Sequence, residues 1–381
     1  MVRAINDMGQ SNLVRCAAHS IQLSVNAGLR HNEVNELMNK LRKIVGYFNR
    51  SSTAQKELED EQEKFGEKKS KLVQDCVTRW NSTFDMIQSI LKHKNSVNSV
   101  ISKNKKINKW FVASGDFKNM KDLIDVLEPF KVVTETLGGE NYTTASIVHR
   151  LIKSLLNNVQ VHTSDSNFIT EVKTLISNDL KKRKELMGLV ESKASALDPR
   201  YRNLKFLSTE QKQIVWKELE IELKKMVPEH VEKENEFYIP SESEMESEEE
   251  DSPPPKKFRS LMVDSDDDDE EDDKTLNPII PNSPIDQLEA YKNLKTKIPY
   301  DQNPLIWWKE NEIVYPIVSL LAKKYLSVVA TSVPCERLFS EAGQVISQKR
   351  NRLSPDRVNQ LLFLNSFFKS EEMAESLMVR Q

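Results

Sequence analysis

The stretch Leu326–Phe368, LSVVATSVPCERLFSEAGQVISQKRNRLSPDRVNQLLFLNSFF, limits the folds open to this chain more than any other. A β-branched run at Ser327–Thr331 leads into a helix start. Ser332 is a candidate N-cap, and Pro334 sits in the first turn, where a missing N–H does no harm. Leu338, Phe339, Ala342, Val345 and Ile346 recur at helical spacing and make one apolar stripe. Glu336 falls outside that stripe, on a polar edge with Ser340, Gly343 and Ser347. A carboxylate flanked by small residues leaves room for a metal, a nucleic-acid backbone or another helix. After the basic turn Lys349–Arg352, Ser354-Pro355-Asp356 predicts a second helix start. Val358, Leu361, Leu362, Leu364, Phe367 and Phe368 then cover more than one stripe. Such a helix must bury two faces, one on its own domain and one on a partner, or else be a central core helix.

Glycine supplies only 9 of 381 residues, well under the usual share of ~7%. A phosphate-cradling loop is not expected from such a chain, and neither GxGxxG nor GxxxxGK occurs. Helix should dominate. The three cysteines are odd in number and far apart, which predicts reduced thiols and a cytosolic or nuclear protein. No apolar run reaches about 18 residues, and Met1-Val2-Arg3-Ala4 opens no signal peptide. The net charge of −3 conceals an asymmetry: residues 242–273 carry 16 acidic and 3 basic side chains, which leaves +10 on the remainder. A basic body with an acidic tether is compatible with a nucleic-acid surface, and also with an ordinary soluble protein bearing an acidic loop.

Trp307-Trp308, Tyr315-Pro316, Ala322-Lys323-Lys324-Tyr325-Leu326, Pro334-Cys335-Glu336-Arg337-Leu338-Phe339-Ser340 and Arg350-Asn351-Arg352-Leu353 together resemble the C-terminal dimerisation region of hAT-superfamily transposases. Their domesticated relatives include the zinc finger BED domain-containing proteins. The resemblance implies a mainly α fold with a partial α/β RNase H-like core, truncated and interrupted by a helical insertion and an acidic disordered segment. It implies a catalytic, here vestigial, role for Glu336, and a dimer face built from Val358, Leu361, Leu362, Phe367 and Phe368. The family's two catalytic Asp residues would lie before Met1. One Glu cannot hold two cations ~3.5–4 Å apart for phosphoryl chemistry.

Further motifs lie upstream. Cys16 and His19, one helical turn apart, make half a metal site where zinc needs about four ligands. No complementary pair is visible, so no metal site is expected. A buried Cys with a hydrogen-bonded His is the plain reading, and the resemblance instead places the pair beside a core pocket. In Thr78-Arg79-Trp80-Asn81-Ser82-Thr83 the resemblance makes Arg79 and Trp80 candidate DNA contacts, the Trp stacking on an unpaired base. The alternative is a buried Trp at a domain junction with the guanidinium against it. Leu197-Asp198-Pro199-Arg200-Tyr201 matches a further family element, in which Asp198 is expected to be a cap or turn residue rather than a catalyst.

Periodicity predicts helices over Val34–Lys69, Asn119–Leu137 with a kink or restart at Pro129, Thr144–Val161, Asn167–Leu189, Leu204–Val227 and Asn303–Ser327. Dense like charge and few apolar residues predict disorder over Pro228–Pro284, where Lys256-Lys257 and Arg259 could mark a nuclear import signal. The expected divisions are a partial RNase H-like core over 1–75, a helical insertion over 76–227, the acidic linker over 228–284 and the dimerisation region over 285–370. The expected function is a non-enzymatic, transposon-derived nuclear protein that pairs with itself or a related hAT protein and associates with DNA. It has no cofactor, membrane or small-molecule substrate, and no BED finger supplies a sequence-specific DNA module. The alternative is a fragment of an active transposase using Mg²⁺ or Mn²⁺.

Overall fold

The computed structural model describes residues 14–139, 142–231, 283–346 and 353–378. Helices and their connections account for all of these, with no strand among the described residues. The helical half of the expected fold class is therefore met, while the α/β core is not seen. Ser327–Thr331, β-branched as it is, forms an irregular connection that pairs by single bonds instead of a ladder. The Ala17 amide donates to the Ala330 carbonyl at 2.9 Å, and the Ala330 amide donates to Thr144 Oγ1 at 2.9 Å. Most of the expected disorder over 228–284 lies outside the described residues, as does the basic turn at Lys349–Arg352.

Six helices precede the middle of the chain: α1 (Ala17–Leu29), α2 (Asn32–Arg50), α3 (Ser52–Lys64), α4 (Trp80–Lys92), α5 (Lys94–Lys103) and α6 (Ser114–Leu137). The single helix expected over Val34–Lys69 is broken at Ser51. Its backbone is extended, and its side chain accepts from the Ala54 amide to start α3 afresh. Pro129, by contrast, breaks nothing. Helix α6 runs through it, with Phe130, Val133 and Leu137 buried on the far side. A proline inside a helix costs about 3 kcal/mol, which burial of three large apolar side chains can offset.

The remaining helices are α7 (Val148–Asn158), α8 (Asn167–Glu185), α9 (Leu189–Leu197), α10 (Thr209–Val231), α11 (Pro284–Lys292), α12 (Pro304–Glu310), α13 (Pro316–Leu326), α14 (Val333–Val345) and α15 (Pro355–Met378). The helix expected over Asn303–Ser327 is two, because Pro316 opens α13 at its first turn. Helix α1 lies close on α8: a Cβ added to Gly28 would stand 2.7 Å from Ile176 Cγ1. One continuous apolar core runs from Ala17 through Trp80, Leu127, Leu151 and Leu219 to Trp308 and Ala330. The expected divide at residue 75 therefore separates no two cores: Leu41 and Phe48 on one side share theirs with Trp80 and Phe84 on the other.

Candidate association surface

The C-terminal helices are held by the buried turn that follows α9. Asp198 is fully buried and takes both prongs of the Arg200 guanidinium, Nε to Oδ1 at 2.9 Å and a terminal nitrogen to Oδ2 at 2.7 Å. Ser146 Oγ donates a third bond to Oδ2 at 2.7 Å, and the Arg200 amide a fourth to Oδ1 at 3.1 Å. Asp198 is thus a turn residue, as expected. Arg200 also reaches the Tyr300 carbonyl at 3.2 Å, and Arg202 reaches the carbonyls of Leu294 at 3.1 Å and Thr296 at 2.8 Å. Trp308 Nε1 donates to the Leu197 carbonyl at 2.7 Å, and the Tyr291 hydroxyl to that of Ala196 at 3.1 Å. Around these bonds Trp216, Tyr291, Trp307, Trp308 and Tyr315 stack edge and face. Both members of the Trp pair are buried there.

Beyond this anchor the packing thins. Ser332 begins α14, yet its hydroxyl donates to Glu336 Oε1 at 2.7 Å instead of capping the backbone. Arg337 ties the helix back through a 2.9 Å bond to the Gly138 carbonyl. The stripe expected to be buried is divided: Ala342 and Val345 are half-buried, while Leu338 and Ile346 are exposed and Phe339 is 75% exposed. Helix α15 starts where expected, with Ser354 Oγ accepting from the Arg357 amide at 3.4 Å, and Asn365 ties it to Glu341 at 3.1 Å. Of its predicted interface residues, Val358 is buried and Leu362 half-buried, whereas Leu361, Leu364, Phe367 and Phe368 are exposed. The reading as a central core helix therefore fails. Phe363 was not among the expected interface residues, yet it is 68% exposed, the most of any apolar side chain described on α15. It sits inside the unbroken run Leu361–Leu364, where helical spacing cannot rank one face over another. Both helices thus carry large apolar side chains that the described chain leaves uncovered, the usual mark of a protein contact.

The other expected sites fare differently. Glu336 is exposed on its helix, and a Cβ at Gly343 would meet open space, so the polar edge is as roomy as expected. Ser332 links it to Cys16: the Ser332 amide and hydroxyl both lie 3.4 Å from Cys16 Sγ. Among the described residues no three His, Cys, Asp or Glu side chains converge where a cation could sit. Cys16 is half-buried and His19 exposed, so the pair lines no shared core pocket and the histidine is not the hydrogen-bonded core residue expected. Arg79 is exposed, as a DNA contact requires. Trp80 is only 2% exposed and packs in the main core, so it is no stacking platform for a base. The burial supports the alternative of a buried Trp, within one continuous core rather than between two.

Residues 285–368 match the hAT family C-terminal dimerisation region, and residues 14–126 match the ZBED1 RNase-like helical domain, a match that runs through the expected divide at 75. Across 96% of its length the chain is 23% identical to the "Putative transcriptional regulator tpeD" of Talaromyces stipitatus, covering 43% of that protein. It is 22% identical over 93% of its length to human Zinc finger BED domain-containing protein 4, covering 29% of it. It is 26% identical over 92% of its length to the "Putative AC transposase" of Zea mays, covering 43% of it. The chain spans less than half the length of each of these relatives.

Proposed function

We propose, for a transposase-derived chain that carries the hAT-family C-terminal dimerisation region, that it acts in the nucleus by pairing with a second copy or a related hAT protein. The uncovered apolar face of α14 and α15 carries this reading, because it lies inside the matched region and nothing in the described chain covers it. Fully burying each Phe or Leu is worth ~1.5–3 kcal/mol, so a few such side chains across a symmetric face suffice for a stable pair. DNA association is part of the proposal, through the basic body and the exposed Arg79. A strand-cutting role is not, for this chain acting alone: Glu336 is the one member of the family's carboxylate set that its motifs match. The deciding experiment is sedimentation velocity of the chain and of the variant Phe363→Asp with Phe367→Asp. Dimer for the first and folded monomer for the second are expected. A monomeric parent chain at tens of micromolar would refute the pairing.

The alternative is participation in DNA strand cleavage and transfer as part of a longer protein, with Mg²⁺ or Mn²⁺. The bond from Ser332 to Glu336 and the open space beside Gly343 favour keeping it under test. Metal-dependent strand transfer by this chain that disappears in Glu336→Ala would establish it.

A further inference from the structure

A cleft of about 540 Å³ opens where α8, α9 and α10 meet, away from the C-terminal helices. Leu156, Leu207 and Ile214 are among its apolar walls, and Lys181, Lys184 and Glu185 stand at its mouth. His149 lies at its lining with only 4% of its surface exposed. The imidazole stacks on the Phe206 ring at 5.5 Å between centroids and 9° between planes. Its Nε2 pairs with Ser192 Oγ at 2.9 Å, while Nδ1 has no partner.

The charges around the cleft are also uncompensated. Lys181 and Lys184 are one helical turn apart and face the same way. Neither forms an ion pair among the described residues, although Glu185 is close in sequence; their neighbour Arg183 is held by Asp179 at 2.5 Å. Burial and the charge of Lys153 push the Lys184 ammonium below its ordinary range. Burial, and then Lys184 itself, push His149 down to about 4. Behind Lys184 and Met187 a void of about 20 Å³ reaches Glu191, whose Oε2 is unpaired and which is 2% exposed; that space holds a single water and no more. What this cleft lacks is an anionic partner for Lys181 and Lys184.

We infer that the cleft binds an organic anion with a flat apolar body. The anionic group pairs with Lys181 and Lys184, and the body lies along Leu156, Leu207 and Ile214. A pocket of this size with apolar walls and few convergent polar groups is of the kind that takes small molecules. The site is independent of pairing through α14 and α15.

Naphthalene-2-sulfonate is a suitable probe, titrated calorimetrically into the full chain, with 2-naphthol and propane-1-sulfonate as partial ligands. One saturable site is expected. Affinity should fall at least tenfold in Lys181→Glu with Lys184→Gln, and tenfold for each partial ligand. Ile214→Glu, at an exposed rim position, gives the same reading if the lysine variant does not fold. Phe363→Asp with Phe367→Asp should bind as the parent chain does, which separates this site from the dimer face. Heats that do not saturate, affinity retained in both cleft variants, or 2-naphthol binding as tightly as the sulfonate would overturn the inference.

Discussion

Arg200 grips Asp198 with two parallel hydrogen bonds in a place neither shares with water, two residues apart in sequence and on the same turn. The carboxylate is saturated by its four donors, so it has no lone pair left for chemistry. Removing one partner of such a pair strands a buried charge and typically costs 3–5 kcal/mol. Asp198→Ala and Arg200→Ala should each lower stability by about that much in urea unfolding. The double variant should lose clearly less than the sum, since the second change removes the stranded charge left by the first.

On α15, Val358 and Phe363 should separate stability from association. Val358 is buried against its own chain, and Phe363 is open to solvent. Val358→Asp should lower the melting temperature, through an unpaired buried charge. Phe363→Ser should leave the melting of the dilute monomer unchanged and weaken the dimer at least tenfold in sedimentation. The reverse pattern would mean that the helix turns its other side to the partner.

Trp80→Ala should cost about 3–5 kcal/mol, the usual loss on emptying a large buried aromatic site. Arg79→Ala, at an exposed position, should change stability by less than about 0.5 kcal/mol. If the chain binds DNA, Arg79→Ala should weaken it and flatten its salt dependence, while Trp80→Phe should leave affinity unchanged. Fluorescence anisotropy at two salt concentrations checks both.

His149 gives the fold a pH dependence of definite sign. Its folded pKa of about 4 lies below the ordinary imidazole value of 6.5, so the native state favours the neutral ring. Stability from this group is therefore whole above pH ~6.5 and falls as pH drops toward 4, where the unfolded chain takes up the proton first; the loss is roughly 3 kcal/mol. Urea midpoints measured from pH 7 to 4 should show this slope, and His149→Gln should remove most of it.

Much of this was legible in the residues. Helix α15 starts at Ser354 as its capping signature predicts, because such a signal is local, whereas Ser332 opens α14 without capping it and the start at Pro316 was not foreseen. The dimerisation region announced itself through motifs spread over its whole length. What could not be read was long-range. Trp80 looks alike in sequence whether it faces a base or a core, and only the packing of α4 on α2 and α6 decides it. The Cys16 and His19 spacing was real, but the N-terminal end of α1 turns the histidine to solvent. The division of α14 into buried and exposed apolar residues depends on how far Arg337 lets the helix lean on Gly138, a contact nearly 200 residues distant in the chain.

The carbonyls of Leu294, Thr296 and Tyr300 are gripped by arginines that precede them by about a hundred residues, while α10 is fixed to the same body through Val215, Trp216 and Leu219. Both banks of the stretch 232–282 are thus moored independently of it. Cutting the chain anywhere between residues 232 and 282 should therefore leave two pieces that stay associated, because the bonds and packing that join them lie on either side of the cut.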